Sequence, residues 1–159
     1  MKPVVVYYSL DGNCAFVAEE LKTLLSADLL RLCTKDEKKR SKFGQLMWGG
    51  GMVFRKKNPE LKPWNFDSSA YDLIILGVPV WAGHPAPPIR TFLAEAGISG
   101  KKIALFVCHG GGMGKSLEKF RAMLTGNDII AEANFLDPGK NAGEETKQQI
   151  AAWAKTFNL

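Results

Sequence analysis

Long apolar runs separated by polar segments divide the chain into predicted strands. Continuous runs rich in β-branched and aromatic residues are typical of strands that are covered on both faces of a sheet. Three such runs are Val4–Tyr8, Leu73–Val80 and Ile103–Cys108. Less regular apolar runs predict two further strands, Asp28–Leu32 and Ile129–Phe135. The apolar pattern therefore predicts five strands.

Between and after these strands, apolar residues recur at the spacing of an amphipathic helix. The predicted inward faces are Val17, Leu21, Leu24 and Leu25; Ile89, Phe92, Leu93 and Ala96; Leu117, Phe120 and Leu124; and Ile150, Trp153, Ala154 and Phe157. Strands that alternate with helices predict an α/β fold, in which a parallel sheet has right-handed crossovers and helices on both faces. No repeat, low-complexity tract or linker divides the sequence, so we expect residues 1–159 to form one domain.

The connection from Leu32 to Tyr71 is too long for a bare loop and predicts an additional helix. The stretch KKRSKFGQLMWGG, residues 38–50, suits this helix. Its expected inward-facing residues are Phe43, Leu46 and Met47, and the glycines expected to break it are Gly49, Gly50 and Gly51.

Composition places the chain among ordinary globular domains. Its 159 residues are 46% hydrophobic and 23% charged, which allows a proper core and gives no sign of disorder. No apolar run approaches the roughly 18 residues of a membrane helix, and the first residues do not resemble a signal peptide. The cysteines, Cys14, Cys33 and Cys108, include no Cys-x-x-Cys pair. We therefore expect a cytoplasmic protein with free thiols and without a metal site.

Three unusual loops follow predicted strand ends. Loop 1 is Ser9–Cys14, loop 2 is Pro79–Pro88, and loop 3 is His109–Gly114. In an open parallel sheet, ligands bind beyond the carboxyl ends of the strands, at the point where the winding reverses. Three such loops at one edge indicate a shared ligand.

These loops also carry a resemblance to a known family. Loop 1 aligns with a phosphate loop of the pattern Thr/Ser-x-Thr/Ser-Gly-x-Thr/Ser. GVPVWAGHPAPPIRTFL at 77–93 resembles a flavin loop and its following helix, and GKKIALFVCHGGGMGK at 100–115 resembles the next strand and glycine-rich loop. Over nearly its whole length the sequence is similar to flavodoxin-like proteins, which bind FMN. The resemblance implies a flavodoxin-like three-layer sandwich with five parallel strands in the order 2-1-3-4-5.

The resemblance further implies that FMN binds at this edge of the sheet. The implied cofactor-binding residues are Ser9, Leu10, Asp11, Gly12, Asn13 and Cys14; Pro79, Val80, Trp81, Ala82 and Gly83; and Cys108, His109, Gly110, Gly111 and Gly112. Backbone N–H groups at a helix start suit the phosphate, and Trp81 offers a flat apolar surface to the isoalloxazine ring. Glycines let the main chain approach the polar edge of the ring, and His109 is a candidate for tuning its electronics. Since the flavin supplies the chemistry, we assign no catalytic side chain.

Asp11 departs from the family pattern, which has a hydroxyl there and another at position 14. A carboxylate about 6 Å from the phosphate costs roughly 3 kcal/mol per charge pair at an effective dielectric near 20, on the order of a hundredfold in affinity. Asp11 has three alternative roles: it turns outward and caps the helix, it weakens FMN binding, or it occupies the anion site and leaves the site vestigial. We expect the outward, capping position.

Several of these residues also have simpler interpretations. Trp81 can be a packed surface aromatic, and Cys108 can fill a strand end. Cys14 is a steric replacement for a hydroxyl, or a redox-active thiol whose pKa falls at a helix N-terminus. GGGMGKS at 110–116 resembles a nucleotide P-loop, but that pattern requires glycine where His109 stands.

The net charge of +5 originates in one segment. Residues 35–62 hold nine Lys/Arg against three Asp/Glu, so the rest of the chain is near neutral. The segment is either a solvated helix face or a surface that steers an acidic redox partner or a phosphorylated nicotinamide. Nucleic acid is disfavoured because no aromatic interleaving accompanies the charges.

We therefore predict a flavodoxin-like redox protein that transfers electrons through bound FMN. One alternative is an NAD(P)H-dependent FMN or quinone reductase on the same fold, which predicts turnover with NADH or NADPH. The other is a non-redox binding module whose flavin site has decayed through Asp11 and Cys14. It predicts a colourless protein that does not bind FMN.

Overall fold

Five parallel strands form the central sheet in the computed structural model, which describes residues 1–37, 44, 47, 51 and 58–158. The five parallel strands are β1 Pro3–Tyr8, β2 Asp28–Leu32, β3 Leu73–Trp81, β5 Lys102–His109 and β6 Asp128–Leu136. A short strand, β4 His84–Pro85, pairs antiparallel with the end of β3. Their order across the sheet is β2-β1-β3-β5-β6. Counted without β4, this is the order 2-1-3-4-5, so the predicted topology is confirmed.

Helices connect these strands. Those described from end to end are α1 Asn13–Leu25, α2 Pro88–Ala96, α3 Ser116–Ala122 and α4 Glu144–Lys155, with a 3₁₀ turn at Ser68–Ala70. As expected from the start and stop signals, α2 begins at a proline and is followed by Gly97, whose φ of 59° is a left-handed conformation that terminates helices. No helix in the described part of the chain has the length and apolar character needed to cross a membrane.

The sheet separates two hydrophobic cores. Alternate residues of β1 point to opposite faces, so Val5 and Tyr7 pack in one core and Val4, Val6 and Tyr8 pack in the other. The first core contains the inner faces of α1 and α4, and the second contains those of α2 and α3. Because every residue of β1 is buried, this strand is covered on both faces, as its continuous apolar run predicted.

Two exposed side chains correct the predicted inward faces. Leu24 is 48% exposed, whereas its neighbour Leu25 is half-buried and packs against the first core, so only Leu25 of the last turn of α1 faces inward. In the connector, the three described residues, 44, 47 and 51, are helical; Met47, expected to face inward, is 63% exposed, and Gly51, expected to break the helix, is itself helical. Apolar spacing alone therefore did not predict the exposure of Met47. The remaining residues of that prediction lie outside the described residues: Phe43, Leu46, Gly49 and Gly50.

Candidate functional site

Loops 1, 2 and 3 lie side by side at the carboxyl edge of the sheet. They follow β1, β3 and β5, which are neighbours in the strand order. The register pairs Tyr7 with Gly77 and Pro79 with Cys108, so the three strands end near one level. The fold thus brings together the three segments that the sequence motifs singled out.

Loop 1 turns the chain sharply from β1 into α1. Gly12 has a φ of 95°, a left-handed conformation that favours glycine. The buried Ser9 hydroxyl accepts a hydrogen bond from the Ala15 N–H at 3.2 Å, and the Ser9 carbonyl accepts one from Arg31 Nη2 at 3.0 Å. These contacts fix the position of the loop relative to the first turn of α1.

Four backbone N–H groups of loop 1 are available to an anion. No atom of the described residues accepts a hydrogen bond from the N–H of Leu10, Asp11, Gly12 or Cys14. Successive N–H groups at the start of a helix form a concave site that favours anions. The residues present therefore fit the phosphate of FMN.

The carboxylate of Asp11 bonds to the first residue of α1. Its Oδ1 accepts a hydrogen bond from the Asn13 N–H at 3.1 Å, and its Oδ2 accepts one from Asn13 Nδ2 at 2.9 Å. Asp11 is exposed and bends back onto the first residue of α1. It bonds to the helix start, as the capping role predicts, but it also occupies one of the N–H groups predicted to hold the phosphate, so which of the three roles it has toward FMN stays a prediction.

A fourth segment, residues 137–143 after β6, joins the site and was missed by the sequence motifs. The Gly139 N–H donates to Asn13 Oδ1 at 2.8 Å, and the Asp137 N–H donates to the His109 carbonyl at 2.8 Å. The segment therefore ties loop 1 to loop 3, and a cleft of about 470 Å³ lies between it and α1. Its place after a strand end and its Asp-Pro-Gly turn residues were the available signal.

Burial decides between the two interpretations of Cys14. The side chain has no exposed surface, and this burial raises the pKa of the thiol. A redox-active thiol at a helix start requires the opposite shift, so that interpretation is wrong. Cys14 packs in the same core as Cys108, which is also buried.

Loop 2 begins with a tight hairpin that carries Trp81. Trp81 pairs with His84 across a two-residue turn, in which Ala82 and Gly83 have φ values of 49° and 71°. Positive φ at both central positions is the type I′ pattern. The half-buried Trp81 ring packs edge-on against Tyr8, with the ring centroids 5.7 Å apart. Trp81 is thus anchored in the fold and still partly open to a ligand.

Loop 2 is held against loop 3 and α3. Gly114 approaches so closely that a Cβ at this position would lie 3.3 Å from Gly83 Cα. Lys119 Nζ donates to the Gly83 carbonyl at 3.1 Å and lies 3.0 Å from His84 Nε2. Burial, Lys119 and Arg90 all lower the pKa of His84, which favours the neutral imidazole.

His109 interacts with the edge strand β6. Its Nε2 lies 3.1 Å from Asn134 Oδ1, and its Nδ1 is buried without a hydrogen-bond partner among the described residues. When Nε2 donates to the Asn134 oxygen, the neutral ring carries its lone pair on Nδ1. The effect of His109 on a flavin stays a prediction.

Comparison with known proteins identifies the family. The model of a family described as Flavodoxin matches residues 2–157, so the chain belongs to the flavodoxin family. A flavoprotein from Lactobacillus acidophilus NCFM, solved in complex with FMN, is 26% identical and has a TM-score of 0.73 over 89% of this chain and 96% of that chain. The predicted cofactor agrees with this finding.

Two further solved structures share the fold at lower identity. The two-electron reduced flavodoxin of Megasphaera elsdenii is 21% identical, with a TM-score of 0.61 over 96% of this chain and 98% of that chain. Oxidised Flavodoxin 2 of Bacillus cereus is 20% identical, with a TM-score of 0.64 over 99% of this chain and 98% of that chain. A search of curated proteins found no match. The flavodoxin-like fold is confirmed.

Proposed function

We propose that this protein binds FMN at loops 1, 2 and 3 and transfers electrons through it. One observation carries the proposal: the free N–H groups of loop 1 and the Trp81 hairpin lie at the ends of adjacent strands, β1 and β3. A phosphate joined by a short chain to an aromatic ring system requires these two surfaces at one edge. FMN is such a ligand, and when bound it accepts and donates one or two electrons.

Family membership supports the same ligand. The chain matches the flavodoxin model over nearly its whole length, and the Lactobacillus acidophilus relative is described in complex with FMN. Loop 3 supplies three consecutive glycines, Gly110, Gly111 and Gly112, whose main chain is accessible to a polar ligand edge.

Asp11 sets the expected strength of binding. Its carboxylate occupies the Asn13 N–H and places a negative charge beside the proposed phosphate site. The other four N–H groups of the loop remain available, and the exposed position of Asp11 allows solvent to screen its charge. We therefore propose that FMN binding is weakened rather than abolished.

The Asp11–Asn13 contact also favours a second candidate, a non-redox module whose flavin site has decayed. In that case the carboxylate permanently replaces the phosphate as the ligand of the loop. This candidate predicts no interaction with FMN at any accessible concentration, whereas the first predicts a measurable dissociation constant.

A visible absorption spectrum before and after addition of FMN tests the proposal. We expect flavin bands that stay with the protein through gel filtration, or a spectral shift on titration with FMN. Riboflavin is the matched ligand control, because it lacks the phosphate and should bind more weakly if loop 1 holds that group. No shift at high FMN would refute the proposal and support the decayed site. If FMN binds, an assay with NADH and NADPH separates an electron carrier from a reductase.

A further inference from the structure

The side chain of Lys119 connects α3 to the turn of the Trp81 hairpin. Its Nζ donates to the Gly83 carbonyl at 3.1 Å and lies 3.0 Å from His84 Nε2. Lys119 is half-buried, so the contact is partly shielded from solvent. Both acceptors belong to the short stretch that reverses the chain directly after Trp81.

The hairpin needs such external support because its own turn is unfavourable. Ala82 has a φ of 49°, a left-handed conformation that residues with a Cβ rarely adopt. β4 contains only His84 and Pro85, so two residue pairs hold the hairpin to β3. Contacts from outside, by Gly114 and Lys119, therefore contribute to fixing its position.

The Lys119 contact depends on the charge of His84. The neutral imidazole accepts a hydrogen bond from Lys119 at Nε2 when its proton is on Nδ1, whereas the imidazolium has no lone pair to accept it. The charged groups that face His84 are Lys119 from α3 and Arg90 from α2, and both are cationic. Protonation of His84 therefore replaces a hydrogen bond with repulsion.

We propose that Lys119 is a positioning residue for Trp81, because it clamps the hairpin through Gly83 and neutral His84, and that the clamp opens when His84 is protonated. The inference rests on the proposed function, in which Trp81 packs against the flavin ring. It adds that α3, which lies outside the three loops singled out by sequence, controls the geometry of the ring site.

Two measurements on Lys119→Met test the clamp. The first is amide hydrogen exchange at Ala86, whose N–H donates to the Pro79 carbonyl at the base of the hairpin, in the FMN-free protein, and the second is the dissociation constant for FMN. Loss of a charge-assisted hydrogen bond at a half-buried site predicts about tenfold faster exchange and about tenfold weaker binding. Lys119→Arg should keep most of the exchange protection and most of the FMN affinity of the parent, since it retains a cationic donor.

Lys115→Met is the matched control. Lys115 directly precedes the same helix, so its substitution removes the same charge but no hydrogen bond to the hairpin. It should change exchange and affinity less than twofold. Equal effects of Lys119→Met and Lys115→Met would overturn the clamp and indicate a general loss of positive charge.

A pH series in the FMN-free protein tests the role of His84 without interference from the titrating phosphate of FMN. After correction for intrinsic rates, exchange at Ala86 should accelerate in the parent protein as the pH falls from 6.5 to about 4.5, because the pKa of His84 lies below its ordinary value. In His84→Gln, whose amide oxygen can accept a hydrogen bond from Lys119 at every pH, this acceleration should disappear. If it persists in His84→Gln, the pH-dependent part of the proposal is wrong.

The outcomes also separate this inference from the proposed function. If the parent protein does not bind FMN, the proposed function fails, and the positioning role for a flavin ring fails with it. If the parent binds FMN and Lys119→Met binds it equally tightly, only the positioning role is overturned.

Discussion

Among single residues, Asp11 is the one whose removal we expect to strengthen FMN binding. Asp11→Ser removes the carboxylate, releases the Asn13 N–H and restores the hydroxyl of the family pattern. Because Asp11 is exposed, solvent screens part of its repulsion, and we expect FMN to bind on the order of tenfold more tightly. Titration of flavin fluorescence at fixed ionic strength measures the change.

Asp11→Asn is the matched control, because it removes the charge and keeps an oxygen that can accept the Asn13 N–H. If charge repulsion dominates, both variants bind FMN more tightly than the parent. If competition for the N–H dominates, only Asp11→Ser does. An unchanged dissociation constant in both variants would show that Asp11 does not oppose the phosphate.

Gly77 is required by the close approach of β3 and β5. A Cβ on Gly77 would lie 2.0 Å from the ring of Phe106, which is fully buried. Gly77→Ala should therefore lower the free energy of unfolding by roughly 1–3 kcal/mol, measured by urea denaturation. In a double-mutant cycle with Phe106→Leu, part of the loss should be recovered, since the smaller side chain vacates this space. Additive effects of the two substitutions would contradict the predicted clash.

The sequence identified most residues of the candidate site but not the contacts that their side chains make. Ser9 and Trp81 were found because they stand in loops after apolar strands. The packing of Trp81 on Tyr8 and the hydrogen bond from the Gly139 N–H to Asn13 Oδ1 could not be read from spacing. Such contacts depend on where the fold brings together residues that are distant in the chain.

At the scale of elements, the hairpin of loop 2 is held in a turn that its own sequence does not favour. Type I′ turns prefer asparagine followed by glycine, whereas this turn has Ala82 and Gly83. Ala82→Asn should stabilise the protein by about 0.5–1 kcal/mol, because asparagine tolerates the left-handed conformation better than alanine. Urea denaturation measures the gain in stability. The substitution should leave the cooperativity of unfolding unchanged.

Ala82→Val is the opposing control for this turn. A β-branched residue is poorly suited to positive φ, so it should destabilise the protein and reduce protection of the hairpin amides from exchange. Since Ala82 is exposed, neither substitution disturbs the core. If Asn and Val have the same effect, the backbone conformation of residue 82 is not the cause.

Elements with a long apolar pattern were predicted well, and short or polar ones were not. β2 has the predicted bounds, and the other long strands differ from their predicted bounds by one residue at one or both ends. β4 was missed because two residues are too few to show the alternation of apolar and polar residues that is typical of a strand. Helix α3 ends at Ala122, although the apolar stripe continues to Leu124. Leu124 lies in the turn after the helix, and its side chain is still buried. Burial thus continues past a helix end, so an apolar stripe overestimates helix length.

At the scale of the whole molecule, local hydrogen bonds stabilise the ionised form of three exposed carboxylates, those of Asp28, Glu60 and Asp67. The pKa of Asp28 is lowered by hydrogen bonds from Lys2 and Tyr71, and that of Glu60 by one from Lys35. A group whose folded-state pKa is depressed adds stability above its unfolded value, and this stability is lost as the pH falls through the folded value. The protein should therefore lose stability below about pH 4, where its excess of positive charge also grows.

Asp28→Asn tests how much of the stability lost at acidic pH comes from the Asp28 carboxylate. This group joins β2 to Tyr71 and to Lys2, the residue before β1. Relative to the parent, the variant should unfold at lower urea concentration at pH 7, and the difference should shrink as the pH falls from about 4 to 2. The difference should be small, because the pair is exposed and screened by salt. The exposed Glu95→Gln is the control and should follow the parent at every pH. The difference in stability between Asp28→Asn and the parent could instead persist at pH 2. In that case the contact would stabilise the sheet edge through hydrogen bonding or packing rather than through the ionised carboxylate.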